Sequence, residues 1–162
     1  MLKLSFISLL FIFSLAKAEE TRHSSAHVHG LNNLTMVLSQ NQIAIAYEMP
    51  IIQLHEEHEE LAIKNESLKE FQNHLQLFEL PVGAECELSS FKSEFHNVST
   101  EGNHKDIELY YEFYCNEPNL LNGIQINAFD RFDDLQMVNF DAIINNQGFT
   151  KSFNSLEAKI TF

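Results

Sequence analysis

Tryptophan is absent from this 162-residue sequence, and cysteine, proline and glycine are sparse, at two, three and five residues. Five scattered glycines supply no phosphate-cradling loop, and no G-x-S-x-G or kinase signature occurs. The chain has neither the repeats nor the biased composition of collagen, coiled coils or low-complexity segments. Basic side chains are the other shortage. Ten Lys and Arg stand against 23 Asp and Glu, for a formal charge of -13. A field of that sign repels nucleic-acid phosphates and anionic membrane surfaces, and it attracts cations. The remainder, 44% hydrophobic and 20% charged, is the composition of one ordinary globular domain.

Long apolar runs are missing too, except at the amino end. Met1 to Ala18 has Lys3 near its start, then an apolar run from Leu4 to Leu15, then the small-x-small pattern Ala16-Lys17-Ala18. The run is shorter than the roughly 20 residues a membrane helix needs. It reads as a signal peptide, residues 1–18, with a single exported domain over 19–162. Cleavage removes two lysines and no acid, which takes the charge from -13 to -15. Export also governs the two cysteines, Cys86 and Cys115. In an oxidising compartment an even count favours one disulfide over a thiolate half-site for metal.

Hydrophobic periodicity divides the rest. Leu34, Met36 and Leu38, then Ile43, Ile45, Tyr47 and Met49, alternate on either side of Ser39-Gln40-Asn41, which predicts an antiparallel hairpin. Leu54, His58, Leu61, Leu68, Phe71, Leu75 and Phe78 recur at three, four or seven, which predicts one amphipathic helix ended by Pro81 and Gly83. Strands then return over Cys86–Phe95, Ile107–Cys115, Ile124–Ala128 and Leu135–Ile144, followed by a turn at Asn145–Gly148 and two short strands. Asn97–Asp106 reads as loop. The expected fold is α+β and mainly antiparallel, sandwich-like, with about seven or eight strands, one helix between early strands and no parallel βαβ unit.

Histidine carries the chemistry. His27-Val28-His29 puts two imidazoles on one face of an extended segment, and His55 and His58 share a face at the predicted helix start. Two such pairs suit a nitrogen-rich tetrahedral zinc site completed by Glu or water; copper and nickel are compatible with the same ligands. His23, His96 and His104 lie in polar stretches and form a looser, secondary set. His74 falls on the polar flank of the helix and is expected at the surface. The group Asp130, Asp133 and Asp134 lacks an EF-hand's spacing and reads as a solvated turn.

Several motifs recur in order: His27-Val28-His29-Gly30, Tyr47-Glu48-Met49-Pro50, Glu57-His58, Leu77-Phe78-Glu79-Leu80-Pro81, Ala84-Glu85-Cys86, Tyr111-Glu112-Phe113-Tyr114-Cys115 and Phe129-Asp130-Arg131-Phe132. In that order they resemble the ZrgA-type zinc-uptake family of exported bacterial proteins, over nearly all of the mature chain. The resemblance implies a periplasmic accessory protein for zinc acquisition serving an ABC importer, and it points to His27, His29 and His58 as ligands; His55, from its spacing to His58, and Glu57 are the candidates to complete that set. Leu54-His55-Glu56-Glu57-His58 replaces the family's usual Gly-Phe-Glu-His. Only His96 and His104 stand where many members carry a long histidine tract, which favours a compact site over high-capacity buffering. The expected function is therefore non-catalytic binding of a divalent ion, with an inner-membrane importer or outer-membrane receptor as partner. The competing reading is a metal-independent interaction module that docks on an envelope partner through its sheet edge or acidic face.

Overall fold

A computed structural model describes residues 30–54, 67–97 and 105–162. The predicted signal segment lies outside them. Nine strands are described: β1 (Leu31–Ser39), β2 (Gln42–Pro50), β3 (Phe78–Glu79), β4 (Cys86–Asn97), β5 (Lys105–Cys115), β6 (Gly123–Ile126), β7 (Met137–Ile144), β8 (Gln147–Phe153) and β9 (Lys159–Thr161). They form a six-stranded sheet ordered β4-β5-β2-β1-β7-β8 and a three-stranded sheet ordered β3-β6-β9. No described helix is long and apolar enough to cross a membrane.

Period-two sequences make the large sheet because one of its faces is dry. Leu34, Tyr47 and Leu109 fall in one row across β1, β2 and β5, and Met36, Ile45 and Tyr111 fall in the next. All six are buried, each contributing roughly 1.5–3 kcal/mol by leaving water. Asn41, in the hairpin turn, accepts a hydrogen bond from the Cys115 N–H at 2.8 Å and donates its side-chain amide to the Cys115 carbonyl at 2.9 Å. That ties the β1–β2 turn to the end of β5. At the β7–β8 turn, Asn145 and Asn146 both take positive φ, at 51° and 65°, the pattern of a tight two-residue hairpin that asparagine tolerates.

The small sheet and its connecting turns cover the dry face. Phe78 of β3 meets Tyr111 edge-on at 5.2 Å, and Ile124, Ile126 and Ile160 join the same buried cluster. Tyr111 donates its hydroxyl to the Phe71 carbonyl at 2.7 Å, so the second layer is hydrogen-bonded as well as packed to the first.

Four expectations need adjustment. Residues 55–66 of the predicted helix lie outside the described residues. The flanking pieces are 3-10 turns, Ile51–Leu54, Ser67–Gln72 and His74–Gln76, and Phe78 is already strand. Leu68, Phe71, His74 and Leu77 recur every three residues, and the three apolar ones are fully buried while Leu75 is half exposed; that period fits a 3-10 repeat better than 3.6. The described α-helix is instead α1 (Ala128–Arg131), where a strand end was expected. β1 and β7 are parallel neighbours, reached by a long excursion of chain rather than a single crossover helix. Lys105 and Asp106, expected in a loop, begin β5, and Asp106 is buried.

Candidate metal centre

Strand direction decides which chain segments meet. β1 starts where β2 ends, β2 ends beside the start of β5, and β5 starts opposite the end of β4, with Pro50 facing Asp106 and His96 facing Asp106 in register. These four strands are consecutive neighbours, so their ends span roughly 14 Å at the usual strand spacing. His29, His55 and His104 are the residues covalently next to Gly30, Leu54 and Lys105, which border this end.

Of the predicted ligands, His23, His27, His29, His55, Glu57, His58 and His104 lie outside the described residues. His96 is described only by its backbone, on β4 opposite Asp106. Asp106 is a carboxylate that the sequence pattern does not single out, because Asn97–Asp106 has the composition of a loop. In the next row on the same face of β5, two residues on from Asp106, Glu94, Glu108 and Glu48 stand side by side across β4, β5 and β2. Among the described residues no group of three or more His, Cys, Asp and Glu is arranged to hold a metal ion.

A polar ribbon crosses the open face at this end. Ser152 donates to Asn139 at 2.9 Å, Asn139 to Asn33 at 3.4 Å, and Asn33 to Glu48 at 3.0 Å. On the dry face below it, Asn32 and Tyr47 are fully buried, and the Asn32 amide donates to the Tyr47 hydroxyl at 2.8 Å. Burial pushes the Tyr47 phenol far above its ordinary range, with the Asn32 hydrogen bond opposing in part. The side-chain oxygen of Asn32 is left without a partner.

The other motif residues turn out to build the frame. Gly30 closes the His-Val-His-Gly motif with φ +81°; a Cβ there would stand 2.6 Å from the Asp134 carbonyl. Its own carbonyl accepts from the Gln136 and Met137 N–H groups, at 2.8 and 2.9 Å, so the motif's exit is fastened to the start of β7. Arg131 pairs with Glu70 at 2.7 Å and lies over the Phe71 ring at 5.0 Å, holding α1 against the Ser67–Gln72 turn. Cys86 and Cys115 form the expected disulfide.

His74 is not the surface residue its place in the pattern suggested. It is half-buried, with its ring 4.8 Å from Phe113 edge-on and 5.4 Å from Phe78. Desolvation lowers its pKa below the usual 6.5, and the charge of Glu79 pulls the other way.

Residues 26–162 match the model of the family described as ZrgA family zinc uptake protein. The chain belongs to the ZrgA family. The match starts one residue before His27 and so contains every candidate ligand except His23. No curated protein matches the chain. As a ZrgA family member the protein is linked to a divalent cation, zinc, and to its uptake. The mostly-β fold, the disulfide and the lack of a described membrane-length helix are compatible with an exported protein.

Proposed function

We propose that this protein is a periplasmic, non-catalytic zinc-binding accessory that holds Zn²⁺ and passes or sequesters it for an ABC-type importer. His27, His29 and His58 are the ligands, with His55 or Glu57 completing the set and His23, His96 and His104 as a looser outer group. The observation that carries the reading is the zinc-uptake family match beginning at the His27 motif. It is supported by the described residues that border the histidine segments: Gly30 precedes β1, Lys105 begins β5, and Leu54 ends the 3-10 turn that follows β2, all leading to or from one end of the large sheet. Neutral imidazoles suit zinc, and the acidic surface raises the local concentration of a dication. Asp106, whose backbone sits among these strand ends, is the described carboxylate nearest in sequence to His104.

Calorimetric titration of the mature chain with Zn²⁺ tests this. The protein binds zinc saturably, and His27→Ala/His29→Ala/His58→Ala together abolish the tight phase. Unchanged binding in the triple variant overturns the assigned ligands; no zinc binding by the parent overturns the function.

A further inference from the structure

The open face of the six-stranded sheet has a pattern that zinc binding does not explain. Across β5, β2, β1 and β7, one row reads Glu112, Ala44, Val37 and Ile143, and the next reads Tyr110, Ala46, Thr35 and Asp141. A solvated sheet face ordinarily alternates to polar residues. Here its centre is small and apolar, with Val37 39% and Ile143 50% exposed. Two open depressions of about 360 and 290 Å³ flank this stripe and meet at Val37. Carboxylates border most of it, with Glu112 at one end, Asp141 beside it, and Glu48 with Glu108 in the following row, while Lys92 stands beyond Tyr110 on β4. Several are held in place, Asp141 accepting from Thr150 at 2.6 Å and Glu48 from Asn33 at 3.0 Å.

We propose that this face docks a basic amphipathic helix of a partner protein. A helix is about 10–12 Å across, so laid across the strands it covers about three residues of each, both rows of the stripe, as it passes over β2, β1 and β7. Small side chains let its apolar stripe approach, and lysines or arginines on its flanks meet the acidic border. A second copy of this chain is disfavoured by charge, because both faces would bring carboxylates together in a molecule of net charge -13. An added strand would pair at a sheet edge, not on a face. A footprint of one helix is small, so the complex is transient, with a Kd on the order of micromolar.

The test uses the mature, oxidised chain in chelator, which separates it from the zinc reading. The probe is a labelled synthetic 18-residue helix with leucines on one stripe and lysines on both flanks, followed by fluorescence anisotropy. The scrambled peptide of identical composition is the control for simple charge attraction. The helix binds saturably, Ile143→Asp and Val37→Asp each weaken it about tenfold or more, and Glu112→Gln/Asp141→Asn weakens it less and flattens its salt dependence. Both apolar positions are exposed, so these variants keep the parent's near-ultraviolet circular dichroism. Equal binding of the scrambled peptide, parent-like affinity in Ile143→Asp, no saturation up to about 1 mM, or self-association of the chain through this face overturns the proposal.

Discussion

Cys86 and Cys115 stand opposite each other in register on β4 and β5, with Cα atoms 3.9 Å apart, at the end of the sheet away from Gly30 and Lys105. β5 is eleven residues long, so roughly 34 Å of strand separates this bridge from the end proposed for zinc. A bridge spanning 29 positions stabilises mainly by restricting the unfolded chain, by about 3.5 kcal/mol in the entropy model. Cys86→Ala/Cys115→Ala therefore lowers unfolding free energy by up to that amount while zinc affinity stays within about twofold. Denaturant titration and calorimetry on one preparation read both numbers. Thiol titration of denatured, unreduced parent finds no free thiol; two free thiols refute the bridge in the native protein.

The buried pair Asn32 and Tyr47 gives a coupling prediction. Tyr47→Phe strands the Asn32 amide, and Asn32→Leu strands the Tyr47 hydroxyl, both at sites with no access to water. Each single change costs about 1–3 kcal/mol, the penalty of an unpaired buried polar group. Making both leaves nothing unpaired, so the double variant loses clearly less than the two losses added together. Strict additivity in urea titrations would show that the hydrogen bond contributes nothing.

How much of this was readable beforehand depends on what each residue answers to. Leu34, Met36, Ile43 and Ile45 alternate because one sheet face is dry and the other wet, and that local rule survives in any sequence. The Leu68–Phe71–His74–Leu77 repeat is equally local, but periods of 3.0 and 3.6 diverge little over ten residues. The apolar burial was therefore legible while the helix type was not. The Tyr111 hydrogen bond to Phe71 spans 40 positions, and nothing near either residue announces it. The histidines are legible by type, but which strand ends border their segments depends on strand direction and order, which motif spacing does not encode. Val37, Ala44 and Ala46 are legible as the outward half of the hairpin's alternation, but that they form one small, apolar centre on the open face follows only from the strand order and register.

Gly30 joins the histidine motif to the sheet, and its replacement tests that joint. An alanine there must hold a left-handed φ and place its Cβ against the Asp134 carbonyl. Backbone strain of this kind costs roughly 1–3 kcal/mol. Gly30→Ala is expected to unfold at lower denaturant and, since His29 is the preceding residue, to bind zinc more weakly than the parent. Gly148→Ala is the control, because no atom lies within 4 Å of its added Cβ; it should leave zinc affinity unchanged.

His74 predicts a pH dependence that is separate from metal. Its folded pKa lies below 6.5 because burial against Phe113 and Phe78 disfavours the imidazolium, although Glu79 partly offsets this. Well above about pH 6.5 both folded and unfolded rings are neutral and the ring has no linkage effect. As pH falls below that value the unfolded chain takes up the proton first, so this residue makes stability decrease, until the folded pKa is passed. In NMR titrations the His74 ring should protonate below the usual histidine range. His74→Phe removes this contribution to the stability slope between pH 6.5 and the folded pKa. A ring titrating above 6.5 would contradict the packing.

Zinc affinity should carry the signature of its ligands. A protonated imidazole has no lone pair for metal, so each histidine in the site must lose its proton before Zn²⁺ binds. Unperturbed histidine titrates near about 6.5, which places the competition just below neutrality. Three histidine ligands make apparent affinity fall with acid by up to about three decades per pH unit well below their pKa values. Sites made of carboxylates alone behave differently, staying nearly flat until about pH 4, where Asp and Glu protonate. The distinction matters here because the described surface is rich in carboxylates, the Glu48, Glu108 and Glu94 row above all. Calorimetric titrations at about pH 7.5, 6.5 and 5.5 bracket the histidine range. A steep fall across the lower pair, absent in His27→Ala/His29→Ala/His58→Ala, marks an imidazole site. Affinity that hardly changes between the three would assign the binding to diffuse attraction by acidic side chains and remove histidine from the centre.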